Sequence, residues 1–219
     1  MKRFLLAVLA FAAAQAAPAL AQDADPVAHY NDLLAAAKSG SGPVDWAALR
    51  YAYADLPDFD GQFDGADRQL MFAASTRHDW DTVLTIATRI LDKNYVDGMA
   101  HHAAGAAELS LGRTQDGLRD KAMADAIFAS IRTGDGLSYE HAFTVIAIDE
   151  EYDLLITMDV PDIGTQSLQQ HDGHTYDVFA TKDADGNTVT YYFNIDREWA
   201  AETRPFKAMG DDNAKQKGE

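Results

Sequence analysis

Between Asp25 and Arg132 the apolar residues recur every three or four positions, the spacing of helices rather than the alternation of strands. Trp80, Val83, Leu84, Ala87, Ile90 and Leu91 fall on one helical face, with Asp79 placed as a cap and Asp81 in the first turn. The pattern predicts a next helix over 96–111, stopped by Gly112, a residue that can turn left-handed past a helix end. A further helix carries Leu118, Ala122, Ala126, Ile127 and Ile131 on its apolar face and is expected to end in a left-handed Gly134. Segments 26–38, 45–56 and 66–76 also read as helices.

After Gly136 the period changes. Residues 143–148, FTVIAI, are rich in β-branched side chains and read as a buried strand. Asp149-Glu150-Glu151 then supplies a cap and an acidic first turn, and Tyr152, Leu155 and Ile156 fit a short helix before Pro161. A strand over 154–157 fits those residues too. Residues 174–182 and 188–196 form a hairpin about Asp183-Ala-Asp-Gly-Asn187, with Val189, Tyr191, Phe193 and Ile195 alternating along its second strand. DADGN is turn chemistry and not a calcium loop, since Gly186 is misplaced and no Glu follows at the required distance. The fold class is α+β, with N-terminal α-helical hairpins followed by a small, mostly antiparallel sheet and one helix. Gly134-Asp135-Gly136 reads as the joint between the two regions. A phosphate-cradling loop would instead follow a strand and open a helix.

Leu91–Arg113, LDKNYVDGMAHHAAGAAELSLGR, resembles the junction between two tetratricopeptide repeats, a motif of helix pairs with a period of 34 residues. Gly105 and Ala107 match its small positions, Gly112 its turn glycine, and Trp80 and Thr114 are one period apart. Tyr95 stands where the motif prefers proline, and Gly117 and Lys121 occupy places that are usually apolar, so an ordinary antiparallel bundle is the alternative. A second resemblance rests on GDGLSYEHAFTVIAIDEEYDLL (134–155), QSL (166–168), GHTYDVF (173–179) and TYYFNID (190–196), with WAALRYAYAD (46–55) near its start. Together these are similar to an uncharacterised family of secreted or periplasmic bacterial proteins sharing a domain of unknown function, over residues 45–196. The resemblance implies export, a helical front half and a small α/β back half, and it implies no activity.

Composition adds a location. Lys2 and Arg3, the apolar run 4–14 and the small ending Ala19-Leu20-Ala21 have the layout of a secretory leader, with cleavage expected after Ala21 and a periplasmic or secreted product. Pro18 breaks the apolar run short of the roughly 20 residues a membrane span needs. With no cysteine there is neither a disulfide nor a lipid-modified cysteine, so no stable membrane anchor is expected after leader removal. The formal charge is −17, becoming −19 once Lys2 and Arg3 are lost with the leader. Such acidity without a basic cluster argues against nucleic acid as a partner and suits solubility. The expected organisation is a leader (1–21), a helical repeat-like region (22–133), a small α/β module (137–206) and a disordered tail (207–219) that lacks apolar residues after its start.

Candidate chemistry is sparse. His171 and His174 stand three apart and could hold a metal or ligand if a carboxylate such as Asp177 converged on them. His101 and His102 are adjacent on a helix and diverge by about 100°. There is no G-x-S-x-G elbow, P-loop or cysteine nucleophile, Ser167 has no activating context, and Glu150-Glu151 reads as a helix first turn. No catalytic residue and no cofactor follow. The expectation is a non-catalytic module for a protein or peptide partner. The alternative is a periplasmic ligand-binding protein or hydrolase using Gln166, His171, His174 and Asp196.

Overall fold

The computed structural model describes residues 25–204, so the expected leader (1–21) and tail (207–219) lie outside the described residues. Aspartates punctuate the helical region. Asp25, Asp45, Asp64, Asp79 and Asp97 precede α1 (Pro26–Ser39), α2 (Trp46–Ala54), α3 (Gly65–Thr76), α4 (Trp80–Lys93) and α5 (Gly98–Ser110), each accepting a hydrogen bond from a first-turn amide. Replacing such a cap by alanine costs about 1 kcal/mol. Part of the chain's acidity is therefore helix initiation. α6 (Thr114–Ile131) follows, then β1 (Phe143–Thr144), α7 (Ile148–Thr157), β2 (Asp162–His171), β3 (His174–Lys182), β4 (Thr188–Asn194) and α8 over 196–204. The sheet order is β1-β4-β3-β2, antiparallel except for the short parallel β1–β4 pair, and the fold is α+β.

Three expectations need correction, and one alternative is resolved. The strand over 143–148 shrinks to Phe143–Thr144. Val145, Ile146 and Ala147 are fully buried, but the chain turns there: the Ile146 amide donates to Glu150 Oε2 at 2.9 Å and α7 begins. β-branched content reported burial, not extension. Residues 148–157 are helical, which settles the helix-or-strand alternative. On α6 the inward face is Gly117, Asp120, Ala124, Ile127, Phe128 and Ile131, while Leu118 is 53% exposed. The reason is close approach: a β-carbon on Gly117 would lie 2.9 Å from the Gly105 carbonyl of α5. Finally, α6 ends at Ile131 with Arg132 as its cap, and the left-handed glycine is Gly136 (φ 74°), not Gly134. Gly134 is required by proximity instead, since a β-carbon there would sit 2.2 Å from the His141 carbonyl oxygen.

α7 is pinned to the helices by two buried arginines. Arg50 of α2 donates Nε to Glu150 at 2.8 Å and also reaches the carbonyls of Ser130 and Thr144. Arg68 of α3 lies between Asp97 and Asp153, with contacts of 2.7–2.8 Å to both, and Asp149 at 3.4 Å. Asp149 and Glu150 do stand in the first turn of α7, where they also cross-link it to α2 and α3. His101 is buried on Asp120 at 2.7 Å while its neighbour His102 faces outward, as their angular separation requires. The sheet's core joins α6 and α7 to it through Ile131, Leu154, Leu155, Phe143, Phe179 and Phe193.

Candidate functional site

The registers of β2, β3 and β4 sort their side chains onto two faces. His174, Tyr176 and Val178 pair with His171, Gln169 and Ser167 on one side, and Tyr176 and Val178 with Asn194 and Tyr192 on the other, so all share the outer face. Asp177 and Phe179 pair with Leu168 and Gln166, and with Phe193 and Tyr191, on the inner face, where α7 packs through Tyr152 against Phe179. Asp172 and Gly173, both with positive φ (48° and 84°), form the two-residue turn between β2 and β3. Their left-handed pair matches the right-handed twist of the strands they join.

The segment from Arg132 to Ala142 crosses the outer face as a strap. Its fixed point is Gly136, whose carbonyl accepts from the Tyr192 amide at 2.8 Å and whose amide donates to the His141 carbonyl at 2.8 Å. A β-carbon at Gly136 would meet the Phe143 ring at 2.2 Å. Asp135 Oδ1 caps the turn by accepting from the Leu137 amide at 2.9 Å. Tyr139 then lies over the sheet. Its ring stacks on His171 (4.2 Å, 15°), meets Tyr176 (5.0 Å) and Tyr192 (4.7 Å) edge-on, and its hydroxyl donates to Gln169 Oε1.

Beside this strap opens a cleft of about 490 Å³, lined by Tyr139, Glu140, His171, Asp172, His174, Tyr176, Asn194 and the hydroxyls of Thr133 and Thr144. His174 Nδ1 lies 2.6 Å from Asp196 Oδ2, and Asp196 Oδ1 accepts from the Thr175 amide at 2.8 Å. Partial burial pushes the Asp196 carboxyl up, but the Thr175 amide and His174 outweigh it and hold the group below the usual carboxylate range. That pair fixes the imidazole and leaves Nε2 as its unpaired nitrogen. Both side chains remain open, at 56% and 40% exposure. The nearby hydroxyls are engaged elsewhere: Thr133 Oγ1 donates to the Ala142 carbonyl at 2.9 Å and lies 3.0 Å from Thr144 Oγ1. The cleft therefore offers rings, amides and carboxylates for contact, with no hydroxyl hydrogen-bonded to His174 among the described residues.

Residues 41–204 match the family described as Domain of unknown function (DUF4919). The chain belongs to this family. No curated protein and no solved structure matches it. The DUF4919 span runs from just before α2 to the end of α8, so both sheet faces, the strap and the cleft lie within it.

Of the residues singled out in sequence, His171 and His174 reach the same cleft, each with its own partner, Tyr139 for one and Asp196 for the other. Asp177 does not join them. It lies on the inner face beneath Gln166, which donates to it and to Glu151 Oε2 at 3.2 Å. Ser167 sits at the outer face 3.4 Å from the Val178 carbonyl. Among the described residues no group of three or more His, Asp or Glu side chains has a metal-holding arrangement, and no helix is long and apolar enough to cross a membrane. Gly134, Asp135 and Gly136 begin the strap between α6 and β1. Tyr176, Tyr192 and Asn194 were missed in sequence, although their alternation with Phe193 along the hairpin was a usable signal. Tyr139 carried none, because its place depends on how the strap crosses the sheet.

Proposed function

We propose that this DUF4919 protein is a non-catalytic interaction module, working after export in the periplasm or outside the cell, and that the cleft beside the strap receives an extended segment of a partner protein. The observation that supports this most directly is the open, aromatic, carboxylate-rimmed cleft around Tyr139 and the His174–Asp196 pair, with its hydroxyls already engaged. A partner side chain that enters it meets Tyr139 and Tyr176, with Glu140 and Asp172 in the lining and Asp196 hydrogen-bonded to the lining His174. Such a lining suits a lysine or arginine, through cation–π contact and charge pairing. The strongly acidic net charge, −17 for the whole chain and −19 without Lys2 and Arg3 of the leader, steers a basic segment toward the molecule. The leader pattern of residues 1–21 supports export. The hairpins α3–α4 and α5–α6, read as two degenerate tetratricopeptide-like repeats, add a second surface on which a partner could extend.

A photo-crosslinking residue placed at Glu140, with one at Arg77, which caps the C-terminal end of α3 and does not line the cleft, as control, tests the proposal in the producing cell. The expected result is a discrete protein adduct from position 140 that is lost in the Tyr139→Ala background and absent from position 77. A small molecule co-purifying in the cleft, without any protein adduct, overturns the reading in favour of ligand binding.

A further inference from the structure

The inner face of the sheet holds a group of carboxyls with no cation. Glu151 of α7, Asp177 of β3 and Glu198 of α8 are all buried. One amide, Gln166 Nε2 on β2, serves both Glu151 Oε2 and Asp177 Oδ2, while Gln166 Oε1 accepts from the Tyr152 hydroxyl at 2.8 Å. Among the described residues, Glu151 Oε1 and Glu198 Oε2 are buried without a hydrogen-bond partner. The remaining charged groups facing them make matters worse: Asp149 and Glu150 from α7 and Glu202 from α8 are all acidic. Arg50 and Arg68, the cations bound to α7, are held by Glu150 and by Asp97, Asp149 and Asp153. From the loop before α3 the backbone of Gly61 comes close to Glu198 and Glu202, so that a β-carbon there would lie 2.9 Å from Glu202 Cγ and 3.3 Å from Glu198 Cγ.

Three ionised carboxylates buried together, with one amide from the exposed Gln166 shared between two of them, are not a stable arrangement, because each buried charge requires a partner. Protons supply what is missing. A protonated Glu151 becomes a donor to Asp177, and a protonated Glu198 no longer needs a counter-ion. We infer that Glu151, Asp177 and Glu198 form a proton-operated latch, which holds α8 and the outer strand β2 onto α7 when protonated and releases them as pH rises.

The direction of titration agrees. Burial pushes Glu198 up to about 8, with Glu202 and Asp177 adding to it. Burial, then Glu198 and Asp177, raises Glu151 well above the ordinary glutamate value. Asp177 is raised by burial despite the hydrogen bonds it accepts from Gln166 and Glu151. These folded-state values lie above those of the opened chain, so the latch is fully effective below the unfolded carboxylate pKa of about 4.3. Its contribution is lost as pH climbs from there through about 8. Within that window each proton released on opening raises the open fraction about tenfold per pH unit.

Hydrogen exchange followed by mass spectrometry, corrected for the intrinsic pH dependence of amide exchange, tests this on the full chain. Peptides from α8 and β2 are expected to lose protection between about pH 5 and about pH 8 relative to peptides from α3–α5, by at least the tenfold per unit of a single proton. The Glu151→Gln/Glu198→Gln double variant mimics the protonated state and is expected to remain flat over the same range. Unchanged relative protection in the wild type, or the wild-type slope in the double variant, overturns the latch. If the double variant fails to fold, carboxyl-carbon NMR of the wild type decides: titration of Glu198 near 8 supports it, and a midpoint below about 5 overturns it.

Discussion

The two faces of the β2–β3–β4 sheet are built from alternating residues of the same strands, yet their construction differs. On the inner face Phe179 and Phe193 pack with Leu154 and Leu155 of α7, and even the polar Asp177 is dehydrated. Among the described residues, the outer-face cluster of Tyr139, Ala142, Tyr176, Val178 and Tyr192 includes no helix residue. A single strap, held by one backbone bond at Gly136 and one aromatic residue, Tyr139, covers its middle and leaves the cleft with His174 and Asp196 beside it. The difference teaches where recognition can occur. A face closed by a helix stabilises the fold, whereas a face closed by a strap retains side chains that water, and hence a partner, can reach.

The largest test of that contrast is Phe193→Ala. The ring is fully buried between Phe143 (5.5 Å) and Phe179 (5.4 Å). Its truncation should cost about 3–5 kcal/mol, the range for aromatic core residues. Tyr192→Ala, one residue away on the outer face and half-buried, should cost well under that. Urea midpoints of the two variants measure both. Equal losses would mean that the strap closes its face as tightly as α7 closes the other.

Much of this was legible beforehand, for physical reasons that differ by element. α4 declared itself because its apolar stripe and its Asp79 cap agree, and the hairpin because Val189, Tyr191 and Phe193 alternate about a turn of small polar residues. β2 escaped notice. It is an edge strand whose side chains are mostly exposed, so DIGTQSLQQH has no hydrophobic alternation to read. The acidic run 149–151 was placed correctly in a helix first turn but read incompletely: helix-dipole logic accounts for it without burial, and only the fold reveals Arg50, Arg68 and Gln166 opposite its members. The cleft was half visible. His171 and His174 flank one turn, but their separation from Asp177 is a matter of strand parity, Asp196 comes from beyond β4, and Tyr139 arrives from a segment with no periodicity.

A smaller effect is expected from Gly136→Ala, which acts on the seating of the strap. Left-handed backbone costs a non-glycine residue about 1–2 kcal/mol, and the collision with the Phe143 ring adds overpacking of about 1–3 kcal/mol. Gly112→Ala is the control, because Gly112 shares a positive φ of 78° but has open space where the β-carbon would go. Thermal unfolding should therefore show Gly136→Ala clearly below Gly112→Ala. Near-identical values would mean that the strap yields at this point, and the outer face would then be still less constrained than the contrast supposes.

Smallest in stability, and sharpest about function, is Tyr139→Phe. It keeps the ring contacts with His171, Tyr176 and Tyr192 and removes only the hydroxyl that donates to Gln169. A single partly exposed hydrogen bond contributes about 1 kcal/mol or less, so the unfolding midpoint should hardly move. Tyr152→Phe makes the matching cut on the side of α7, where the hydroxyl steadies Gln166 between Glu151 and Asp177. Its stability loss should be similar near pH 5 and grow toward pH 8, because the amide it loosens is the neutral partner those carboxyls share. The Tyr139→Phe loss should not grow over that range, and its effect should appear instead in the yield of partner crosslinked from Glu140. Two phenylalanines of equal size, one changing pH dependence and the other changing recognition, would separate the faces by what each does rather than by where each lies.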